Sequence, residues 1–187
     1  MEAITKTTKI EKIIKLTILA LIGSILITIS AKIKIPFYPV PMTMQTFVIL
    51  LIGITYGYKI GLATVALYLA EGIIGLPVFA SSPEKGIGLA YFTGPTMGYL
   101  LGFMLTVYFA GSFKYERRII INFLKLIFSV SFIYLLGLIW LGILIGWDKP
   151  IFKLGAEPFL LAELFKVLLL VFLIPSLLKI KKLLKVT

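Results

Sequence analysis

Residues 44–56 read MQTFVILLIGITY, thirteen uncharged residues followed at once by Gly57, Tyr58 and Lys59. As a helix this stretch is about 20 Å long at roughly 1.5 Å per residue, against a hydrocarbon core of about 30 Å. Whether it crosses a bilayer decides the fold, because the side of every later loop depends on it. Around it stand five further apolar runs, 13–31, 60–79, 95–112, 119–146 and 157–178, separated by charged or Gly/Pro-rich stretches. The flanking charges arbitrate, since Lys and Arg accumulate on the cytoplasmic side of membrane segments. With six crossings one side receives Lys6, Lys9, Lys12, Lys15, Lys59, Lys114, Arg117, Arg118, Lys179, Lys181, Lys182 and Lys185, twelve in all. The other side receives five, Lys32, Lys34, Lys85, Lys149 and Lys153. Without a crossing at 44–56 the division becomes seven against ten. The expectation is an all-α polytopic membrane protein: six transmembrane helices with a short second one, both termini cytoplasmic, and a single domain over 1–187.

Composition points the same way. Of 187 residues, 60% are hydrophobic and 14% charged, where soluble domains run at roughly 45–50% and about 25%. A water-soluble chain near this length buries only about 70% of its unfolded surface, too little to hide so much apolar area. The first run has a Lys-rich start and small residues at Ser30 and Ala31, like a signal peptide. Five further runs and the Lys32/Lys34 flank favour a retained helix. Cysteine and histidine are both absent, which excludes disulfides, Cys/His metal sites and His-dependent triads. No G-x-x-x-x-G-K-[ST] loop occurs, so uphill transport would draw on an ion gradient or a partner. The net charge of +11, on so apolar a background, suits anionic lipid of the bilayer rather than nucleic acid.

Four ionisable residues fall inside the apolar runs. Lys125, about two turns from the start of its run, reads as a snorkelling anchor. Glu71, beside Gly72 and Gly75, reads equally as a helix-end acid near water or as a functional one. Glu163 and Lys166 differ: at spacing i,i+3 they share a face of the last helix, with Lys166 about 12 Å into the membrane counted from Pro158. Each charge near the bilayer centre costs roughly 2.5–3.5 kcal/mol. They are either a mutually neutralising pair or the polar floor of a pocket, ammonium for a ligand carboxylate or carbonyl and carboxylate for ligand N–H groups. A helix needs no such pair to be stable in lipid, which favours the pocket.

Gly94, Gly98 and Gly102 make two overlapping G-x-x-x-G steps, and Gly142/Gly146 and Ala20/Ser24 repeat the small-residue spacing. This allows close helix approach inside the protein or, for Ala20 and Ser24, against a partner. Three stretches on the outward side, IPFYPVPMTMQT (35–46), GIIGLPVFASS (72–82) and TGPTMGY (93–99), are rich in proline and glycine. They read as ordered turns, either plain connections or covers over a small-molecule pocket.

Val40-Pro41-Met42-Thr43-Met44-Gln45-Thr46, Gly75-Leu76-Pro77-Val78-Phe79-Ala80, and Gly94-Pro95-Thr96-Met97-Gly98-Tyr99 followed by Leu100-Leu101-Gly102-Phe103 closely resemble the signature stretches of the BioY family. This is the family of biotin-specific substrate-binding S components of energy-coupling-factor (ECF) transporters. The likeness runs in order along essentially the whole chain and takes in Glu163-x-x-Lys166. It implies a six-helix, non-enzymatic S component in the plasma membrane of a prokaryote, with biotin as transported substrate and no cofactor. Loops after helices 1 and 3 would cover the site, and a transmembrane coupling subunit with two ATPase subunits would drive release inward. The alternative is a stand-alone biotin facilitator without ATPase partners. An intramembrane enzyme would have only one carboxylate and one amine for acid–base work. By the resemblance Glu163 and Lys166 carry the ligand's polar contacts. Thr43, Gln45, Ser81 and Thr96 supplement them, Phe79 and Tyr99 form walls, and Ala20 and Ser24 lie at the coupling-subunit interface. Three positions depart from the family pattern: Glu163 stands where Asp is usual, Met97 where Gly is commoner, and Ser81–Lys85 is less glycine-rich.

Overall fold

A computed structural model describes residues 2–116 and 118–184, with side chains from residue 9 onward. Of the cations tallied above, Arg117 and Lys185 lie outside the described residues, and Lys6 is described in its backbone alone. The elements are α1 (Glu2–Lys32), β1 (Lys34–Ile35), β2 (Met42–Thr43), α2 (Gln45–Ile73), a 3₁₀ segment (Gly88–Thr93), α3 (Met97–Ser112), α4 (Ile119–Ile145), α5 (Ile151–Gly155) and α6 (Glu157–Leu184). Four helices are long and apolar enough to cross a membrane: α1 from Lys9, α2, α4 and α6, with α3 a shorter apolar helix. Their outer faces are as apolar as their inner ones. On α6, Val167, Leu170 and Ile174 point inward while Leu161, Phe165 and Phe172 point out, as suits a helix solvated by lipid.

The stretch 44–56 ends at Gly57. Inside α2 this residue alone leaves helical geometry, at φ 74° and ψ 172°, the left-handed region that glycine enters without a Cβ penalty. Beyond it the chain folds back. A Cβ placed on Gly61 would lie 3.9 Å from the Gly53 Cα, and Gln45 Nε2 reaches the Tyr68 hydroxyl at 2.9 Å, where a straight helix would separate them by roughly 34 Å. α2 is therefore a pair of antiparallel arms, 45–56 and 58–73. The second arm stops short of the expected residue 79, because Gly75 takes φ 101° and Pro77 cannot continue a helix.

α2 packs on α1, α3 and α6, and α3 packs on α4. The small residues make these contacts close. A Cβ at Gly98 would collide with the Leu136 carbonyl, one at Gly102 with the Ile133 backbone, and one at Gly111 with the Tyr58 backbone at the α2 turn. On α1, Leu19, Ala20, Ser24, Ile27 and Ala31 form the buried stripe, with Ser24 Oγ donating to the Glu71 carboxylate on α2. In the isolated chain Ala20 and Ser24, expected at a partner surface, pack against the chain's own α2. Their i,i+4 spacing puts them on the face α1 turns inward, and Ile14, Ile18, Leu21, Ile22 and Ile25 face out.

The loops separate to two ends. Gly57 and the turn at 113–116 lie at one, where Lys181 Nζ approaches Gly57 and Lys125 Nζ donates to the Lys114 carbonyl at 2.6 Å. In that turn Asn122 Nδ2 donates to the Glu116 carbonyl at 2.7 Å. The Tyr115 hydroxyl donates to the Ala110 carbonyl at 2.7 Å, and burial raises its pKa above the usual phenol value. Residues 33–44, 74–96 and 146–156 gather at the other end, joined by Lys32 to the Phe79 carbonyl at 2.8 Å and Tyr99 to the Gly155 carbonyl at 2.8 Å.

Candidate functional site

Glu163 and Lys166 lie one turn apart on α6 and are 4% and 8% exposed. Their faces are turned to the first turn of α2 and to α4. Glu163 Oε2 accepts three hydrogen bonds: from Thr46 Oγ1 at 3.0 Å, from the Tyr134 hydroxyl at 3.0 Å and from Lys166 Nζ at 3.4 Å. Lys166 Nζ donates also to the Thr43 carbonyl at 2.7 Å and to Thr46 Oγ1 at 3.0 Å. An ammonium has three protons, so Lys166 is fully committed within the chain. Glu163 is not: among the described residues its Oε1 is the one buried side-chain polar atom without a hydrogen-bond partner. An unmet buried carboxylate oxygen carries a desolvation cost of several kcal/mol. A donor that meets it recovers that cost.

The pair borders an open-mouthed cavity, about 570 Å³ with the open solvent at its mouth included. Each wall comes from a different element. Residues 40–43 form the roof, Gln45 and Thr46 come from α2, Ala80 and Tyr91 from the 74–96 loop, and Thr96, Tyr99, Leu100 and Phe103 from the start of α3. Ile133 and Tyr134 on α4 and Phe159 on α6 close it. Local chemistry explains the roof. β1 pairs antiparallel with β2, Lys34 opposite Thr43 and Ile35 opposite Met42, closing a six-residue loop that Pro36, Pro39 and Pro41 stiffen. Phe37 seats edge-on against Phe159 at 5.7 Å. A polar relay then crosses the roof. Thr43 Oγ1 donates to Gln45 Oε1 at 3.2 Å, Gln45 Nε2 to the Tyr68 hydroxyl at 2.9 Å, and that hydroxyl to the Val78 carbonyl at 3.4 Å.

Of the residues singled out in the sequence, Thr43, Gln45, Thr96, Tyr99, Glu163 and Lys166 line this cavity together. Ser81 lines a smaller neighbouring cavity, which shares Pro41, Tyr91 and Thr96 with the first. Phe79 stands behind the wall, stacked on Tyr91 at 4.7 Å, edge-on to Tyr68 at 5.4 Å, and filling the slot left by the missing side chain of Gly72. Ala20 and Ser24 lie on the α1–α2 contact, outside the site. Sequence reasoning missed Tyr134, Tyr91, Phe103 and Phe159. Tyr134 sits among apolar residues in a run with no polar periodicity, and only the packing of α4 on α6 brings it to Glu163. The arrangement presents aromatic and aliphatic walls, one unmet anionic acceptor and no uncommitted buried cation. Such a lining is chemically suited to a small, largely apolar molecule that offers an N–H donor.

The family model described as BioY family matches residues 3–183 of the chain. The "Biotin transporter BioY" of Thermotoga maritima is 35% identical over 142 residues, 75% of this chain and 82% of that one. The "Probable biotin transporter BioY" of Pyrococcus horikoshii is 33% identical over 141 residues, with the same shares of the two chains. A crystal structure of the S-component for biotin from an ECF-type ABC transporter superposes with a TM-score of 0.70 at 29% identity, covering 90% of this chain and 93% of that one.

Proposed function

The chain belongs to the BioY family, a transporter family rather than an enzyme family, and from that premise we propose that it is the membrane-embedded biotin-binding S component of an ECF-type ABC transporter for biotin uptake. The observation that carries the reading is the buried, unpartnered Oε1 of Glu163. Biotin's ureido ring supplies N–H donors for it, and the ring system suits the walls of Tyr99, Phe103 and Ile133. Thr43, Gln45 and Thr96 add polar contacts around the ligand, with Ser81 at the adjoining recess and Phe79 supporting the wall. Lys166 acts by holding Glu163, Thr46 and the roof in place. A single domain over 1–187 carries this function without a cofactor. With no nucleotide loop of its own, the chain works with a transmembrane coupling subunit and two ATPase subunits. The outward apolar face of α1, rather than its Ala20/Ser24 stripe, is the surface left for the coupling subunit. Transport by the chain alone is not favoured, since the crystal structure it resembles is of a subunit, the S-component.

In this reading the protein spans the plasma membrane of a prokaryote six times. The two arms of α2 cross separately, both termini are cytoplasmic, and the cavity opens outward. The absence of cysteine makes the topology directly testable: Glu84→Cys should react with an impermeant maleimide from outside, and Lys114→Cys only after permeabilisation. The function is tested by titrating the detergent-purified protein with biotin, with desthiobiotin and an unrelated vitamin as comparators. Saturable biotin binding that Glu163→Gln weakens at least tenfold, about 1.4 kcal/mol, is expected. A wild-type protein that ignores biotin, or binds the unrelated vitamin as well, overturns the reading.

A further inference from the structure

The 74–96 loop places Ala80 and Tyr91 in the cavity wall, so its position sets the width of the mouth. Its tip is a self-contained turn. The Lys85 amide donates to the Ser81 carbonyl at 2.7 Å, that of Gly86 to the Pro83 carbonyl at 2.9 Å, and that of Ser82 to the Phe79 carbonyl at 3.2 Å. A turn satisfied from within can move as a unit, because its displacement breaks only its attachments to the helices. One polar attachment dominates: Lys32, the last residue of α1, donates from Nζ to the Phe79 carbonyl at 2.8 Å and to the Ser82 carbonyl at 2.9 Å. The others are single contacts: the exposed Lys34–Glu84 pair at 3.2 Å, the Ser81 amide to the Tyr91 hydroxyl at 3.3 Å, the Lys85 ammonium 5.8 Å from the Tyr38 ring centre and the long Tyr68–Val78 bond at 3.4 Å.

Lys32 therefore clasps the turn at both ends of its first bend. It does so without a counter-ion, since no described carboxylate lies within 4.0 Å of its ammonium. Because Lys32 faces solvent, its protons can exchange the two carbonyls for water, and the turn can be released without stranding a buried charge. Phe79, buried in its aromatic nest, stays behind as the pivot.

We propose that Lys32 is a positioning residue that latches the 79–86 turn over the cavity, so that the outer end of α1 controls the passage of ligand into and out of the site. The inference rests on the assignment of biotin to that cavity, and its test separates the two. Lys32→Met keeps the aliphatic stem and removes the donors. Stopped-flow mixing should show biotin dissociating about tenfold faster and associating faster as well, so that the equilibrium affinity changes less than the dissociation rate. Lys32→Arg should restore rates near wild type. In ligand-free protein, hydrogen exchange at the Ser81 amide, which donates outside the turn to the Tyr91 hydroxyl at 3.3 Å, should accelerate in Lys32→Met, while the internally bonded amides of Ser82, Lys85 and Gly86 keep their rates. A purely structural lysine would weaken binding without speeding association, and that result overturns the latch. So does unchanged exchange at the Ser81 amide, a measurement that holds even if wild type fails to bind biotin and the site assignment falls.

Discussion

The two segments that roof the cavity are each tied down by a lysine, and the two lysines could hardly be more differently placed. The 33–44 loop is held by Lys166, which is buried, has a carboxylate partner and spends all three protons inside the chain. The 74–96 loop is held by Lys32, which faces water and grips only backbone carbonyls. Moving the first loop would uncover an ammonium and a carboxylate at membrane depth, where each is expensive. Moving the second exchanges carbonyls for water. The difference teaches that a membrane-embedded pocket can have one fixed jaw and one releasable jaw, built from the same residue type, with burial alone setting which is which.

Breaking the fixed jaw should have the largest effect. Lys166→Met leaves Glu163 as an uncompensated buried charge, a loss on the order of 3–5 kcal/mol. It should lower the thermal midpoint in detergent and reduce biotin affinity at least a hundredfold in equilibrium binding. Adding Glu163→Gln to that variant removes the stranded charge and should recover part of the midpoint but none of the affinity. No recovery would mean that Lys166 acts through packing instead. Next comes the pivot of the releasable jaw. Phe79→Ala empties the slot beside Gly72, a cavity-forming change of about 3–5 kcal/mol in a packed core. It should loosen the 74–96 loop in hydrogen exchange while leaving residues 40–43 protected. If both loops loosen together, the distinction between the jaws is lost. The smallest effect belongs to the surface. Glu84→Gln removes an exposed ion pair worth roughly 0.2–1 kcal/mol, and biotin affinity should stay within about fivefold of wild type. A larger change would make the Lys34–Glu84 pair, not Lys32, the stronger tie.

Much of this was legible in the chain itself. The apolar runs and the placement of Glu163 and Lys166 on one helical face are one-dimensional signals with helical counterparts, and the asymmetry of Lys and Arg is the signal behind the proposed orientation. The sequence suggests Lys166 as a group offered to the ligand, and in the structure its ammonium is bonded to Thr43, Thr46 and Glu163. Spacing shows that a charge is buried, but not which carbonyls a neighbouring loop will bring to it. Phe79 was read as a wall for a similar reason, since nothing in its motif announces that Gly72, seven residues earlier, leaves a slot for its ring. Tyr134 gave no signal, because one hydroxyl in a greasy run acquires meaning only when another helix sets a carboxylate beside it. The small-residue steps were legible as close contacts but not by partner. Gly98 and Gly102 meet α4, and Ala20 and Ser24 meet the chain's own α2.

The reversal at Gly57 bears on how the protein is made. Arms of twelve and sixteen residues are about 18 Å and 24 Å long, so neither matches the greasy thickness of the membrane unaided. If both arms cross as proposed, the leading one is expected to lodge poorly until its sister emerges to pair with it.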